Sequence, residues 1–244
     1  MRSLCIPVIL APLVVAAPKS ATPVQPWSEY RVHDVSRPHP VKVSGGKCVC
    51  TPAPSDALVI FDGSGTEAFS VKWPVRDGAM VAGKKNTRTK EEFGSCQLHL
   101  EWRVPEGREV KDQKGGNSGV FLMGLYEVQV QESHTNVTYA DGQAAAIYGQ
   151  TPPRVNASLP QGEWQSYDII FHAPEYGEEG MEKPARVTVI HNGVVVQNDT
   201  ELHGPTVFRK IAKYPKKHPD KAPLMLQWHN DPIEYRNIWV RPLD

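Results

Sequence analysis

The stretch Tyr126 to Ser133, YEVQVQES, carries one carboxylate and two amides on alternate positions, then a second carboxylate out of step with them. In an extended chain successive side chains point to opposite faces. Glu127, Gln129 and Gln131 therefore share one face, and Tyr126, Val128 and Val130 share the other. Glu132 falls on the apolar side, where a carboxylate is costly to bury without a partner. A bulge ahead of it would swing Glu132 round beside Glu127. Carboxylates about 5 Å apart suit retaining glycoside hydrolysis, and wider pairs suit inversion. If the strand instead ends at Gln131, Glu132 belongs to the loop ESHTN; the spacing leaves both arrangements open.

Two further segments offer polar groups in strand phase. In QLHLEWRV, His99, Glu101 and Arg103 alternate with Leu98, Leu100 and Trp102. In LMLQWHNDPIEYRNIWVRP, Gln227 and His229 alternate with Leu226 and Trp228, ahead of Arg236 and Asn237. Antiparallel sheets commonly solvate one face, which accounts for such a pattern without any site. Glu, Gln, Arg and His are nevertheless suited to bidentate hydrogen bonding of sugar hydroxyls. Tyr139, Tyr148, Trp164 and Trp228 are aromatic residues able to stack on sugar rings.

Strands must position these groups. The 244-residue chain has 22 Pro and 19 Gly, and no apolar run of helical period lasts three turns. About ten short strand candidates lie between Asp56 and Leu243, among them AAAIYGQ and the hairpin ARVTVIHNGVVVQN turning at Asn192-Gly193. They predict a single-domain all-β sandwich or jelly roll, and missing helices exclude a parallel βαβ sheet. Residues 1–16 read as a signal peptide, too short to span a bilayer and implying a secreted or periplasmic protein with no transmembrane segment. Residues 17–54 read as a Pro-rich linker or irregular arm, and 55–244 as the domain.

Charge and motifs narrow the chemistry. With 27 basic and 27 acidic residues the net charge is +0, which removes the electrostatic case for nucleic-acid binding. Once the signal is removed, Cys48, Cys50 and Cys96 allow one disulfide or none, and CVC lacks redox or zinc spacing. No nucleophile elbow, zincin motif, P-loop or dinucleotide fingerprint occurs. A calcium ion held by Asp62, Asp141 or backbone oxygens is the cation the pattern admits.

The segments NSGVFLMGLYEVQV, TYADGQAAAIYGQTPPRVNAS, GEWQSYDIIFHAP, ARVTVIHNGVVVQND and YRNIWVRPL run in order from about Ser55 to Leu243. Together they resemble the 3-keto-disaccharide hydrolase domain family. The resemblance implies a concanavalin A-like jelly-roll β-sandwich of two antiparallel sheets acting on carbohydrate. It implies cleavage of glycosides whose C3 hydroxyl a separate sugar-oxidising oxidoreductase has converted to a ketone. On that basis Glu127 is the first choice for general base or acid, and Glu132 matches an acid usual in the family near that position. Arg103, His229 or a bound cation would stabilise the enolate. Asn117, Gln129, Tyr139, Gln150, Gln227 and Arg236 would orient the sugar. Ala145 stands where Gly often occurs. The strand is also similar to the E-x-D-x-x-E strand of retaining laminarinases and lichenases, with Gln129 in place of the Asp that tunes their nucleophile. A non-catalytic carbohydrate-binding module on the same fold is the third reading.

Overall fold

The computed structural model describes residues 21–46 and 50–243, so the signal-peptide segment and Cys48 lie outside the described residues. The strands, in chain order, are β1 (Val41–Lys42), β2 (Leu58–Phe61), β3 (Val75–Arg76), β4 (Ala79–Val81), β5 (Thr87–Phe93), β6 (Cys96–Arg103), β7 (Asn117–Leu122) and β8 (Tyr126–Gln131). There follow β9 (Val155–Asn156), β10 (Gln165–His172), β11 (Glu175–Gly177), β12 (Gly180–Lys183), β13 (Arg186–His191), β14 (Val194–Glu201), β15 (Ala222–Leu226) and β16 (Glu234–Pro242). The only helical element among the described residues is a 3₁₀ turn at Ala140–Gly142.

Two antiparallel sheets form the sandwich. The larger runs β14-β13-β10-β6-β16-β4-β3, with β2 also pairing β16, and the smaller runs β5-β15-β7-β8. Leu98, Leu100 and Trp102 of β6, Tyr167, Ile169 and Phe171 of β10, and Val187 and Val189 of β13 are buried on the inner face of the large sheet. Val120, Leu122, Tyr126, Val128, Val130, Leu224 and Leu226 face them from the small sheet. This is the alternation of a sheet with one face in a core. The β13–β14 hairpin turns through Asn192 and Gly193 with φ of 52° and 78°, the pair of positive values that a two-residue primed turn requires.

Of the two arrangements open for Glu132, the second holds: β8 ends at Gln131 without a bulge, and a bulge occurs instead in β16. Pairing of β7 with β8 is unbroken from Asn117↔Gln131 to Leu122↔Tyr126. In β16 the register against β6 jumps between Arg236 and Trp239, and Asn237 has a φ of 46°. The extra residue shifts the phase, so Tyr235 on one side of it and Ile238 and Val240 on the other all reach the core.

The outer face of β8 is not solvated: every residue of the strand is buried. The segment Ala144–Gln150, expected as a strand, runs as turns that hydrogen-bond along it. Ala145 N–H donates to Gln129 O, Gln129 N–H to Ala146 O and Tyr148 N–H to Glu127 O. The edge of the small sheet is thereby closed off from further pairing.

Candidate active site

The unbroken β7–β8 register puts Asn117, Gly119 and Phe121 on the same face as Glu127, Gln129 and Gln131. Gly119 has a steric reason. A Cβ at this position would lie 2.4 Å from Glu127 Oε1, so the carboxyl group leans across β7 through space that only glycine leaves open. Gln227 N–H donates to Gly119 O at 2.9 Å, which extends the ladder beyond β15 and carries Gln227 and His229 to this face. Asp231 fixes the start of β7, its Oδ2 accepting the N–H groups of Gly115 and Asn117 at 3.1 and 3.0 Å.

Above this face lies a cleft of about 570 Å³ lined by Glu127, Gln129, Asn117, Gln227 and His229, together with Gln113, Lys114, Phe121, Tyr139, Tyr148, Thr206 and Phe208. Its floor is built from amides. Gln113 Oε1 accepts from Asn117 Nδ2 and Gln129 Nε2, both at 3.1 Å, and Gln113 Nε2 donates to Thr138 Oγ1 and Gly142 O. Among the described residues Glu127 is the only carboxyl group in the lining. It is 4% exposed and forms no ion pair with any of them. Burial alone pushes its pKa up to about 8, because the charged form loses hydration and gains no countercharge. Tyr139 and Tyr148 stand beside it with their hydroxyls sharing a hydrogen bond at 2.7 Å. Burial is the largest cause holding both phenols well above the usual tyrosine value, with the neighbouring Tyr148 adding to it at Tyr139 and the charges of Glu127 and Asp141 making smaller contributions at both.

The N-terminal arm covers the segment that carries these tyrosines. Asp141 Oδ2 accepts His33 N–H at 3.0 Å and Gln25 Nε2 at 3.3 Å, and Gln25 Nε2 also reaches Gly149 O at 2.9 Å. Burial pushes the Asp141 carboxyl up to about 6, partly offset by the His33 N–H and by Arg37. Beyond them, β1 pairs in parallel with β9.

Six of the residues predicted from sequence meet in the cleft: Glu127, Asn117, Gln129, Tyr139, Gln227 and His229. Four do not. Glu132 turns away: with no bulge in β8, its carboxylate accepts the N–H groups of His134, Thr135 and Asn136 at 2.8 to 3.0 Å. It organises the loop that follows the strand rather than pairing with Glu127. Arg103 and Arg236 sit on the outer face of the large sheet, across the core from the cleft. Arg103 Nε donates to Glu234 and Arg236 Nε to Glu101, and their guanidinium carbons lie 4.5 and 4.1 Å from the Trp164 ring centroid. Gln150 braces two loops, its Oε1 accepting His203 N–H and its Nε2 donating to Gly204 O. Asp62 and Asp141 are equally separate, since Asp62 caps a turn through Ser64. Among the described residues no three His, Cys, Asp or Glu side chains converge to hold a metal ion. No helix among them is long and apolar enough to cross a membrane.

Sequence reasoning missed Gln113, Lys114, Thr206 and Phe208, which arrive from loops of no regular period. A weak signal for Lys114 exists in the Gly115-Gly116 pair that leads its loop into β7.

Comparison with known proteins places this arrangement. No curated protein matches the sequence. A crystal structure from Parabacteroides distasonis ATCC 8503, provisionally described as a glycosyl hydrolase, superposes with a TM-score of 0.77 at 40% identity, covering 85% of this chain and 93% of that one. Two further structures from the same organism and with the same description share the fold. Their TM-scores are 0.56 and 0.52 at 18% and 22% identity, covering 78% and 77% of this chain and 94% and 99% of theirs. Residues 56–241 match the 3-keto-alpha-glucoside-1,2-lyase-like domain. Fold, cleft and sequence thus agree on a carbohydrate-active protein, and the chain belongs to the family of 3-keto-alpha-glucoside-1,2-lyase-like domains.

Proposed function

We propose that the cleft cleaves the C1–O bond of 3-keto-glycosides by proton abstraction and elimination, followed by hydration to give net hydrolysis. The observation that carries this reading is the solitary buried carboxyl group of Glu127, held near 8 by desolvation. A carboxylate with that affinity for protons is a far stronger base than an ordinary one, and matches the task of removing an acidified C–H proton near neutral pH. Retaining hydrolysis of an unoxidised sugar uses a second carboxyl group about 5 Å away, and the cleft lining holds none.

A ketone at C3 acidifies the C2 proton. Glu127 takes that proton, and the electron pair moves onto the C3 oxygen as an enolate. Lys114 and the Tyr139–Tyr148 hydroxyls supply positive charge and hydrogen bonds for that oxygen. As the C3 carbonyl re-forms, the C1=C2 bond forms and the C1–O bond breaks. His229 delivers a proton to the departing oxygen. Water added back across C1=C2 completes hydrolysis. Asn117, Gln129 and Gln227 orient the ring through its hydroxyls. The ketone comes from a separate sugar-oxidising oxidoreductase, and the N-terminal segment directs export.

The test is a product analysis. The protein is incubated with a β-glucan, a native disaccharide and the corresponding 3-keto-disaccharide, and products are followed by mass spectrometry. Turnover of the 3-keto compound alone, with loss of deuterium from C2, is expected. Cleavage of the native disaccharide or the glucan, or saturable binding without any turnover, would overturn the reading.

A further inference from the structure

The tyrosine pair beside Glu127 rests on a residue that lies outside the matched family region. The imidazole of His33 stacks on the Tyr139 ring with centroids 4.1 Å apart and planes 15° apart. It also approaches Tyr148 at 4.9 Å and Phe208 at 5.6 Å. The backbone of Gly142 meets the same tyrosine so closely that a Cβ there would come within 2.1 Å of its Cε2. His33 is itself fixed: its N–H is held by Asp141 and its φ of 58° is left-handed, a conformation that His, Asn and Asp adopt more readily than most residues.

We infer that His33 is a positioning residue of the active site, the arm's imidazole holding the Tyr139–Tyr148 pair in place beside Glu127. The kinetic consequence rests on the proposed elimination; the geometric one does not. Misplacing groups that must meet a developing enolate lowers turnover more than it weakens substrate binding.

Two variants separate the ring from the backbone. His33→Phe keeps a flat ring against Tyr139. His33→Asn keeps the N–H bond and the tolerance of left-handed φ, and removes the ring. With a 3-keto-disaccharide, kcat of the Asn variant is expected to fall about tenfold with KM within about twofold, and the Phe variant to recover most of the loss. In protein carrying ¹³C-labelled tyrosine, with Tyr139 identified by Tyr139→Phe, the Tyr139 ring signals should move in the Asn variant and hold in the Phe variant. If the Asn variant does not fold, Gln25→Leu loosens the arm at Asp141 and Gly149 and should move the same signals. Wild-type kcat in the Asn variant, equal losses in both variants, or unmoved Tyr139 signals would each overturn the inference. Failure of the wild-type protein to cleave the ketone removes the elimination reading instead, while the Tyr139 signals still decide the role of His33.

Discussion

Replacing Glu127 with Gln should abolish the chemistry and at the same time strengthen the fold, by an amount that grows with pH. The unfolded carboxyl group ionises near its ordinary 4.5, whereas the folded one keeps its proton until about 8. Between those values unfolding releases a proton, so stability falls as pH rises, at about 1.4 kcal/mol per pH unit. Across the whole window the wild-type protein loses about 4–5 kcal/mol, and above about pH 8 the loss is complete. A Gln at this position has nearly the same volume and nothing to ionise. Urea unfolding of both proteins at pH 5 and pH 9 reads the difference directly: near parity at the lower pH, and the variant more stable by several kcal/mol at the higher. The kinetic counterpart follows from the same ionisation. With about 1% of the carboxyl ionised at pH 6 and about half at pH 8, wild-type kcat/KM should rise about fifty-fold between them. A stability gap equal at both pH values, with an activity profile already level by pH 5, would refute an unpaired carboxyl held neutral by burial.

Other expectations are narrower. Gly119→Ala introduces a methyl group 2.4 Å from Glu127 Oε1 and should lower kcat at least tenfold through a displaced base, with an unchanged far-ultraviolet dichroism spectrum. Glu132→Ala strips a buried acceptor from three backbone N–H groups. It should cost about 1–3 kcal/mol in urea unfolding while leaving the pH profile of activity unmoved. His99 is desolvated, which lowers its pKa, but the hydrogen bond to Asp168 at 2.7 Å and the Glu101 carboxylate 3.7 Å away outweigh that and bring it up to about 9. Its folded value exceeds its unfolded 6.5, so the stability it contributes is full below pH 6.5 and lost as pH rises through about 9. Asp168→Asn should accordingly lower Tm at pH 6, with the gap to wild type closing by pH 10.

The alternation that made the fold legible could not assign the site. Tyr126, Val128 and Val130 of β8, like Leu98, Leu100 and Trp102 of β6, announce strands with one apolar face, and both sets are in the core. Their polar partners read alike, yet a sandwich turns the outer faces of its two sheets in opposite directions. Glu127 and Gln129 therefore reach the cleft, while Glu101 and Arg103 end on the far side of the core. Which sheet a strand joins is decided by long-range pairing that local period does not carry. The acid out of step at Glu132 was a genuine irregularity, and it marked the end of β8. The phase-shifting residue is Asn237, in a strand whose apolar positions change parity around it. Loop residues such as Lys114 and Phe208 left no periodic trace, and the arm's Gln25 and His33 lie in a Pro-rich stretch whose composition suggests a spacer.

That arm also bears on the order of assembly. His33 and Gln25 bond to partners 108 and 124 positions further along the chain, and closures of that span are slow relative to hairpins such as β7–β8. A chain made from its N-terminus presents the arm first and its docking surface much later, so the arm waits unattached while the sandwich forms. Catalytic competence should then trail burial of the core tryptophans Trp73 and Trp102 during refolding, as a second and slower phase reported by Trp27 of the arm, whose indole N–H donates to Gln150 O.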